Sequence, residues 1–157
     1  MSLISADSRG FCVSVLGRIM LITPYADRHF AGVDALWQAV FPNDPPWNRA
    51  AIAIPEKLAI QPDLFLVAED GDRVVGTVMA GYDGHRGWLY TIAVAPDLQR
   101  KGIGSGLLFE AERKLAAMGC GKVNLQIRAG NDAVVAFYRC HGYNVEERIS
   151  MGKRLTV

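Results

Sequence analysis

The chain has almost no net charge: 17 Lys and Arg stand against 16 Asp and Glu, a formal balance of +1. That balance gives no bulk field toward nucleic acid or an anionic membrane. No basic cluster with interleaved aromatic residues supplies a local one, because Arg100-Lys101 and Lys153-Arg154 are only pairs. Cysteine is scarce. Cys12, Cys120 and Cys140 lie far apart and form no C-x-x-C pair, which argues against a disulfide framework or zinc site and for a reducing cytoplasm. No apolar run approaches the length of a membrane span. Phe11 to Leu16 is apolar, but Arg18 follows without a small-residue cleavage pattern, so it does not read as a signal peptide. Repeats, low-complexity tracts and linkers are missing too. What remains is 157 residues, half of them hydrophobic, enough for one domain with a sizeable core. Residues 1–18 read as an N-terminal extension that need not be native, ahead of a domain at 19–157, with Met20 a second candidate start.

Periodicity divides the domain into elements. Ile19 to Ile22 reads as a first strand. Phe30, Val33, Trp37 and Val40 recur at helical spacing, predicting a helix over 27–40. Pro55 fits the first turn of a short helix ending near Ile60. Leu64 to Glu69 and Arg73 to Tyr82 read as strands joined through the hairpin signal Asp70-Gly71. A turn at 83–87 leads to a strand at Trp88 to Val94. Leu107, Leu108, Ala111, Leu115 and Met118 make one helix face, ended by Gly119 or Gly121. Val123 to Arg128 alternates as a strand does. Asn131 or Asp132 caps a last helix that Gly142 terminates, and Tyr143 to Val145 and Ile149 to Leu155 supply the final strands. The expectation is an α/β layer structure with a mixed sheet.

The densest signal is the stretch between strand and helix at Gln99-Arg100-Lys101-Gly102-Ile103-Gly104-Ser105. A glycine loop opening a helix presents backbone N–H groups at the positive end of the helix dipole, a ready site for pyrophosphate. Gly102 and Gly104 let the backbone approach an anion without a Cβ in the way, and Arg100 and Lys101 add positive charge. It is not the dinucleotide fingerprint: seven residues separate Val94 from Gly102, and the third glycine is missing.

Gln99, Gly102 and Gly104 instead match the Gln/Arg-x-x-Gly-x-Gly/Ala signature, and in this the chain resembles the GNAT superfamily of acetyl-coenzyme A-dependent N-acetyltransferases. A second segment, Asn131 with Tyr138 seven residues on and Gly142-Tyr143 after it, is similar to that family's other motif. The element order resembles the family's over residues 19–155. Pro46-Trp47-Asn48, the segments 65–69 and 81–87, and 152–155 look closer still to its YpeA-like bacterial branch. The resemblance implies a GNAT fold, with a mixed six- to seven-stranded sheet flanked by about four helices. It implies acetyl-coenzyme A as co-substrate, no metal, and a small-molecule or peptide amine as acceptor, in an assembly that in this family is often a homodimer. Two alternatives keep the same fold: a non-catalytic acyl-coenzyme A sensor or partner module, and a transferase with another acyl donor.

In the mechanism so implied, an amine attacks the thioester, an oxyanion forms and a thiolate leaves. The oxyanion donor would be a backbone N–H where the strand before the loop bulges, at Ile92-Ala93-Val94. Tyr138 would protonate the thiolate, and Asn131 would contact the coenzyme. A phenol of pKa about 10 is a sensible match to an alkyl thiol. No base is evident, because Gln126 stands where the ribosomal-protein acetyltransferases carry glutamate. A lysine-like amine needs about 4.6 kcal/mol to become neutral at pH 7, an α-amine about 1.4 kcal/mol. Asp83, His85 and Tyr90 remain base candidates. Trp47, Trp88 and Tyr90 are candidate walls of an acceptor pocket, although aromatic residues at strand spacing read first as core. For covalent catalysis, Cys120 lies beyond a helix end, and Cys140, near Tyr138, has no paired base.

Overall fold

The structure is a computed structural model that describes the backbone of residues 3–7, 10–15 and 18–155, and side chains from residue 20 to 155. The side chains of Cys12 and of the apolar run at 11–16 lie outside the described residues. Two units emerge, Met1–Gln126 and Ile127–Val157.

The first unit is built on a seven-stranded sheet in chain order: β1 (Leu3–Asp7), β2 (Gly10–Val15), β3 (Arg18–Pro24), β4 (Phe65–Asp70), β5 (Arg73–Tyr82), β6 (Gly87–Val94) and β7 (Val123–Leu125). Neighbours run antiparallel up to β6, and β7 lies parallel to β6, so the sheet is mixed as expected. Helices α1 (Phe30–Val40) and α2 (Ala50–Ile60) connect β3 to β4, and α3 (Ile103–Ala117) makes the crossover from β6 to β7. β5 is buried from Val74 to Gly81, an apolar run covered on both faces.

Two adjacent residues of β5 show how the faces are divided, since successive strand residues point to opposite sides. Thr77 meets the Trp37 indole of α1. Gly76 faces α3, where an added Cβ would stand 2.8 Å from Leu107 Cδ1 and 3.1 Å from Ile103 Cγ2. Glycine is needed there because α3 begins hard against the sheet. Val33, Leu36, Trp37, Ala50 and Ile54 pack on Phe65, Val67, Met79 and Ala93 on the first face. Leu107, Leu108, Ala111 and Leu115 are fully buried along α3. At about 25 cal/mol per Å2 of apolar surface, each of the three leucines contributes roughly 1.5–3 kcal/mol before entropy is counted.

The structure departs from the periodicity in several places. Two strands, β1 and β2, precede the one expected at 19–22. Pro55 is not in the first turn of its helix but inside it, because α2 begins at Ala50. The strand expected over 123–128 ends at Leu125, where its pairing with β6 stops at Leu89. In the second unit, α4 (Asp132–Arg139) forms with Asn131 as N-cap, and Gly142 follows at φ +85°. The strands expected at 143–145 and 149–155 are not formed. Alternation supplies only one apolar face, and a strand also needs a ladder partner. Val145, Ile149, Met151 and Leu155 stand 67–92% exposed.

One polar cluster fastens α1 to the sheet. His29 is buried, takes the Ala26 N–H on Nδ1 at 2.9 Å, and stands 3.3 Å from Glu69 Oε1 through Nε2. Arg28 grips the Glu69 carboxylate with both guanidinium nitrogens, at 2.5 and 2.9 Å. Burial pushes the His29 imidazole below 6.5, against the pull of Glu69. Burial alone would raise the Glu69 carboxyl, but the Arg28 hydrogen bond and the His29 charge outweigh it and hold the carboxyl below 4.5. Both folded-state values are depressed, so their stabilisation is complete above those ordinary values and is lost as pH falls through the folded ones. Urea unfolding should therefore show stability falling as pH drops below 6.5 and further below 4.5. Glu69→Gln should lower stability at pH 7 by about 1–2 kcal/mol, since Arg28 is largely exposed, and flatten the lower limb.

Candidate functional site

The site grows out of one surplus residue in β6. Thr77 pairs with Ala93 and Met79 with Tyr90, so two steps along β5 match three along β6. The extra residue is a β-bulge at Thr91–Ile92, and Thr91 takes φ +54°, rare for a β-branched residue. The Thr77 hydroxyl accepts the Trp37 indole N–H at 2.9 Å and reaches the Thr91 carbonyl at 3.4 Å. The bulge is therefore held from the core.

Beyond it, Ala93 returns to the ladder opposite Thr77, and the Ala95 N–H donates to Val75 O at 2.9 Å. Backbone groups of neighbouring strand residues point to opposite edges, so the N–H and C=O of Val94 face away from β5. On that side β7 pairs with β6 only from Gly87 to Leu89. The Gln99 side-chain amide donates to Val94 O at 3.3 Å, confirming the direction. Of the three residues singled out in this strand, Ile92 is in the bulge, Ala93 is buried in the ladder, and Val94 presents its backbone to the gap. The sequence placed the bulge one residue late.

The glycine loop follows directly. Arg100 sits at φ +60° and Gly102 at φ +90°, where a Cβ on Gly102 would meet nothing within 4 Å. Gly102 is the N-cap of α3 and offers no side chain to cap it. The helical ladder begins with Gly106 N–H to Gly102 O at 3.0 Å. The amides of Ile103, Gly104 and Ser105 thus precede the ladder at the positive helix end. Ile103 is buried, anchoring the turn, while Gly104 and Ser105 are half-buried. Lys101 turns back to Asp97 O at 3.1 Å, and Asp97 is clamped by Arg73 at 2.8 and 2.9 Å. Gln99 and Lys101 therefore brace the loop, and Arg100 is exposed beside it. The turn has no side-chain cap, and a helix N-terminus of this kind can receive an anion.

The sheet face carrying α1 and α2 lies on the other side of this gap. Trp88 and Tyr90 project from β6 onto it, 37% and 44% exposed, with Asn124 of β7 beside Trp88. Gln126 lies just past the end of β7. Burial raises the Tyr90 phenol above 10, and its hydroxyl lies against Gly81. Asp83 accepts the amides of Arg86 and His85, each at 2.7 Å, and these bonds hold its carboxyl below the usual range. It is the acceptor of its own turn. His85 is exposed in the same turn, and Trp47 lies exposed in the 3-10 turn Pro46–Asn48. Asn131 and Tyr138 belong to the second unit. Asn131 makes no side-chain cap bond, leaving its amide available, while Tyr138 is buried and stacks edge-on with Phe137 and Tyr143.

A residue the sequence did not mark is Lys57. It is buried on α2 and donates to Ala80 O, and its ammonium stands 5.9 Å from the Tyr90 ring centroid. The spacing of α2 would have put it on a buried face, but a lysine there reads as solvated. Among the described residues no cluster of His, Cys, Asp or Glu is arranged to hold a metal, and no helix is long and apolar enough to cross a membrane. Cys120 and Cys140 are free thiols.

Comparison with known proteins converges on one family. The model of the acetyltransferase (GNAT) family matches residues 30–143. An acetyltransferase of Yersinia enterocolitica is 46% identical over 112 residues, 71% of this chain and 79% of that protein. An acetyltransferase of Pectobacterium atrosepticum is 47% identical over 110 residues, 70% and 78% of the two chains. Among solved structures, Ard1 from Thermoplasma volcanium superposes with a TM-score of 0.72 at 21% identity, over 81% of this chain and 84% of that one. The aminoglycoside acetyltransferase AAC(6')-Iy, solved with a coenzyme A bisubstrate analogue, gives 0.71 at 18% identity over 87% and 99%. These two likenesses establish the fold.

Gly104 stands at the second position of α3, where a β-branched side chain would shield the loop amides. Gly104→Val should weaken coenzyme A binding by calorimetry at least about tenfold, or 1.4 kcal/mol, with circular dichroism unchanged. Unaltered affinity in the folded variant would remove the loop from the binding site.

Proposed function

The chain belongs to the acetyltransferase (GNAT) family, and from that premise we propose that it moves the acetyl group of acetyl-coenzyme A to a primary amine by direct attack in a ternary complex. One observation carries the reading. A bulged strand that aims backbone groups into a gap runs, through a single connection, into an uncapped helix N-terminus. Such a connection serves two anions at once: the pyrophosphate at the loop and the oxyanion of the reacting carbonyl at the bulge.

In this reading Gly102 to Ser105 hold the pyrophosphate, with Arg100 adding charge, while Gln99 and Lys101 keep the loop in shape. The Val94 and Ile92 amides are the oxyanion donors. They are fixed in place by Thr77 and need no reorganisation as charge develops. Asn131 binds the coenzyme through the side-chain amide that α4 does not use. Tyr138 gives its proton to the departing sulfur. The acceptor rests on the face that displays Trp88 and Tyr90, and it is a small molecule or a peptide terminus. The catalytic domain is then 19–157, to whose sheet the extension at 1–18 adds β1 and β2. Neither free cysteine takes part. A non-catalytic binder on this fold would hold the coenzyme and release no thiol.

Tyr138→Phe keeps the ring contacts with Phe137 and Tyr143 and removes only the hydroxyl. Coenzyme affinity should be unchanged, while single-turnover thiol release slows by about 10²- to 10⁴-fold, the worth of a positioned acid. A wild-type rate in this variant would leave the tyrosine a packing residue.

A further inference from the structure

β5 outruns its neighbour β4 by three residues. The last pair of that ladder is Phe65 with Met79, and Ala80 to Tyr82 continue alone along that edge. Side chains stand in for the missing strand. Gln61 accepts the Tyr82 N–H at 3.0 Å and donates to Tyr82 O at 2.8 Å, and Lys57 donates to Ala80 O. Glutamine suffices for the first place. An ammonium in the second is costly, because burial disfavours its charge. Among the described residues no carboxylate pairs with it.

Lys57 also faces the side of the sheet on which Trp88 and Tyr90 are displayed. Its nitrogen stands over the Tyr90 ring, and Tyr90 directly precedes the bulge residue Thr91. Among the base candidates the sequence marked, His85 is exposed in its hairpin turn, and burial raises the Tyr90 phenol and keeps it protonated at neutral pH. Gln126 cannot serve at neutral pH, and Asp83 is engaged by its own turn.

We propose that Lys57, as the neutral amine, accepts the proton of the incoming acceptor ammonium across one water molecule. The inference rests on the acetyl-transfer reading above. The proton balance closes: R–NH3+ and Lys57–NH2 become R–NH2 and Lys57–NH3+. The amine then forms its bond to the acetyl carbon as the carbon–sulfur bond breaks, its second proton leaves with the thiolate, and Lys57 returns its own proton to solvent. Burial lowers the Lys57 amine from 10.5 to about 8. The charged groups on the elements around it are Glu56 on α2, Asp63 in the turn that follows, and Asp83 at the end of β5, with the phenols of Tyr82 and Tyr90. None of these contributes to that shift. Above pH 8 the neutral form prevails, so the role strengthens with rising pH. A lysine placed only to finish the sheet edge would do so equally well protonated.

Thiol release from acetyl-coenzyme A should be followed against pH with two probes, n-butylamine as a lysine-like amine and glycinamide as an α-amine. Wild-type kcat/KM for butylamine should rise through a limb near pH 8. Lys57→Met and Lys57→Arg should both abolish that limb and lower the butylamine rate at pH 7.5 by about 10²-fold or more, with much less loss on glycinamide. Arginine retains the charge and a donor for Ala80 O but gives up no proton near neutrality, so it keeps the protein folded if methionine does not. A wild-type rate and limb in the folded Lys57→Arg protein would overturn the proposal and leave Lys57 an edge cap. Wild-type protein that binds acetyl-coenzyme A by calorimetry but acetylates neither amine would also overturn it. Failure to bind acetyl-coenzyme A would instead remove the reading beneath it.

Discussion

The hydroxyl of Thr77 holds together the two halves of the first unit. It accepts the indole N–H of Trp37 from α1 and donates toward the carbonyl of Thr91 in the bulge. Neither partner tolerates its loss cheaply. A buried indole N–H without an acceptor costs about 1–3 kcal/mol, and Thr91 sits in a left-handed conformation that a β-branched residue adopts only when its surroundings impose it. Past the bulge the β6–β7 ladder is absent, its last pair being Leu89 with Leu125, and Val94 is left with its backbone turned away from β5. The connection after the strand then leads to Gly102 and the start of α3. Gly76 lets α3 start there, close against β5. Register and gap are consequences of one extra residue and the contact that pins it, and the glycine turn follows on the same strand.

The opposite side of β5 shows a different solution to a related problem. Where β4 ends, Lys57 and Gln61 satisfy the exposed edge with side chains. Covering an edge in this way avoids an open ladder that would recruit another chain. It also puts an amine whose pKa burial lowers over the ring of Tyr90, the residue before the bulge. The polar groups at the start of α1 follow the same economy: buried His29 and the exposed Arg28 converge on buried Glu69.

Much of this was legible in the sequence. The glycine loop, the helix behind it and the hairpin at Gly71 follow from local chemistry that tertiary context does not override. So do the ends of α3 and α4, where Gly119 and Gly142 take positive φ. The bulge was anticipated from resemblance, but its place was not, because a surplus residue is visible only against the register of the partner strand. Pro55 misled because a proline at a first turn and a proline inside a helix leave the same local pattern. The alternation at 143–155 describes a face without naming a partner, and no strand forms there. Lys57 was missed because a single lysine on a mixed helix looks solvated. Its burial depends on where β4 ends, which no local pattern records.

The central claim is that backbone amides of the bulge and of the glycine loop receive one and the same ligand. Amide-resolved NMR of isotopically labelled protein, titrated with acetyl-coenzyme A, tests it most directly. Ile92, Val94, Gly102, Ile103 and Gly104 should shift together along a single binding isotherm, with Ala93, paired to Thr77, moving least among the β6 residues. Shifts confined to residues away from both the bulge and the loop, or two separate isotherms for them, would contradict it.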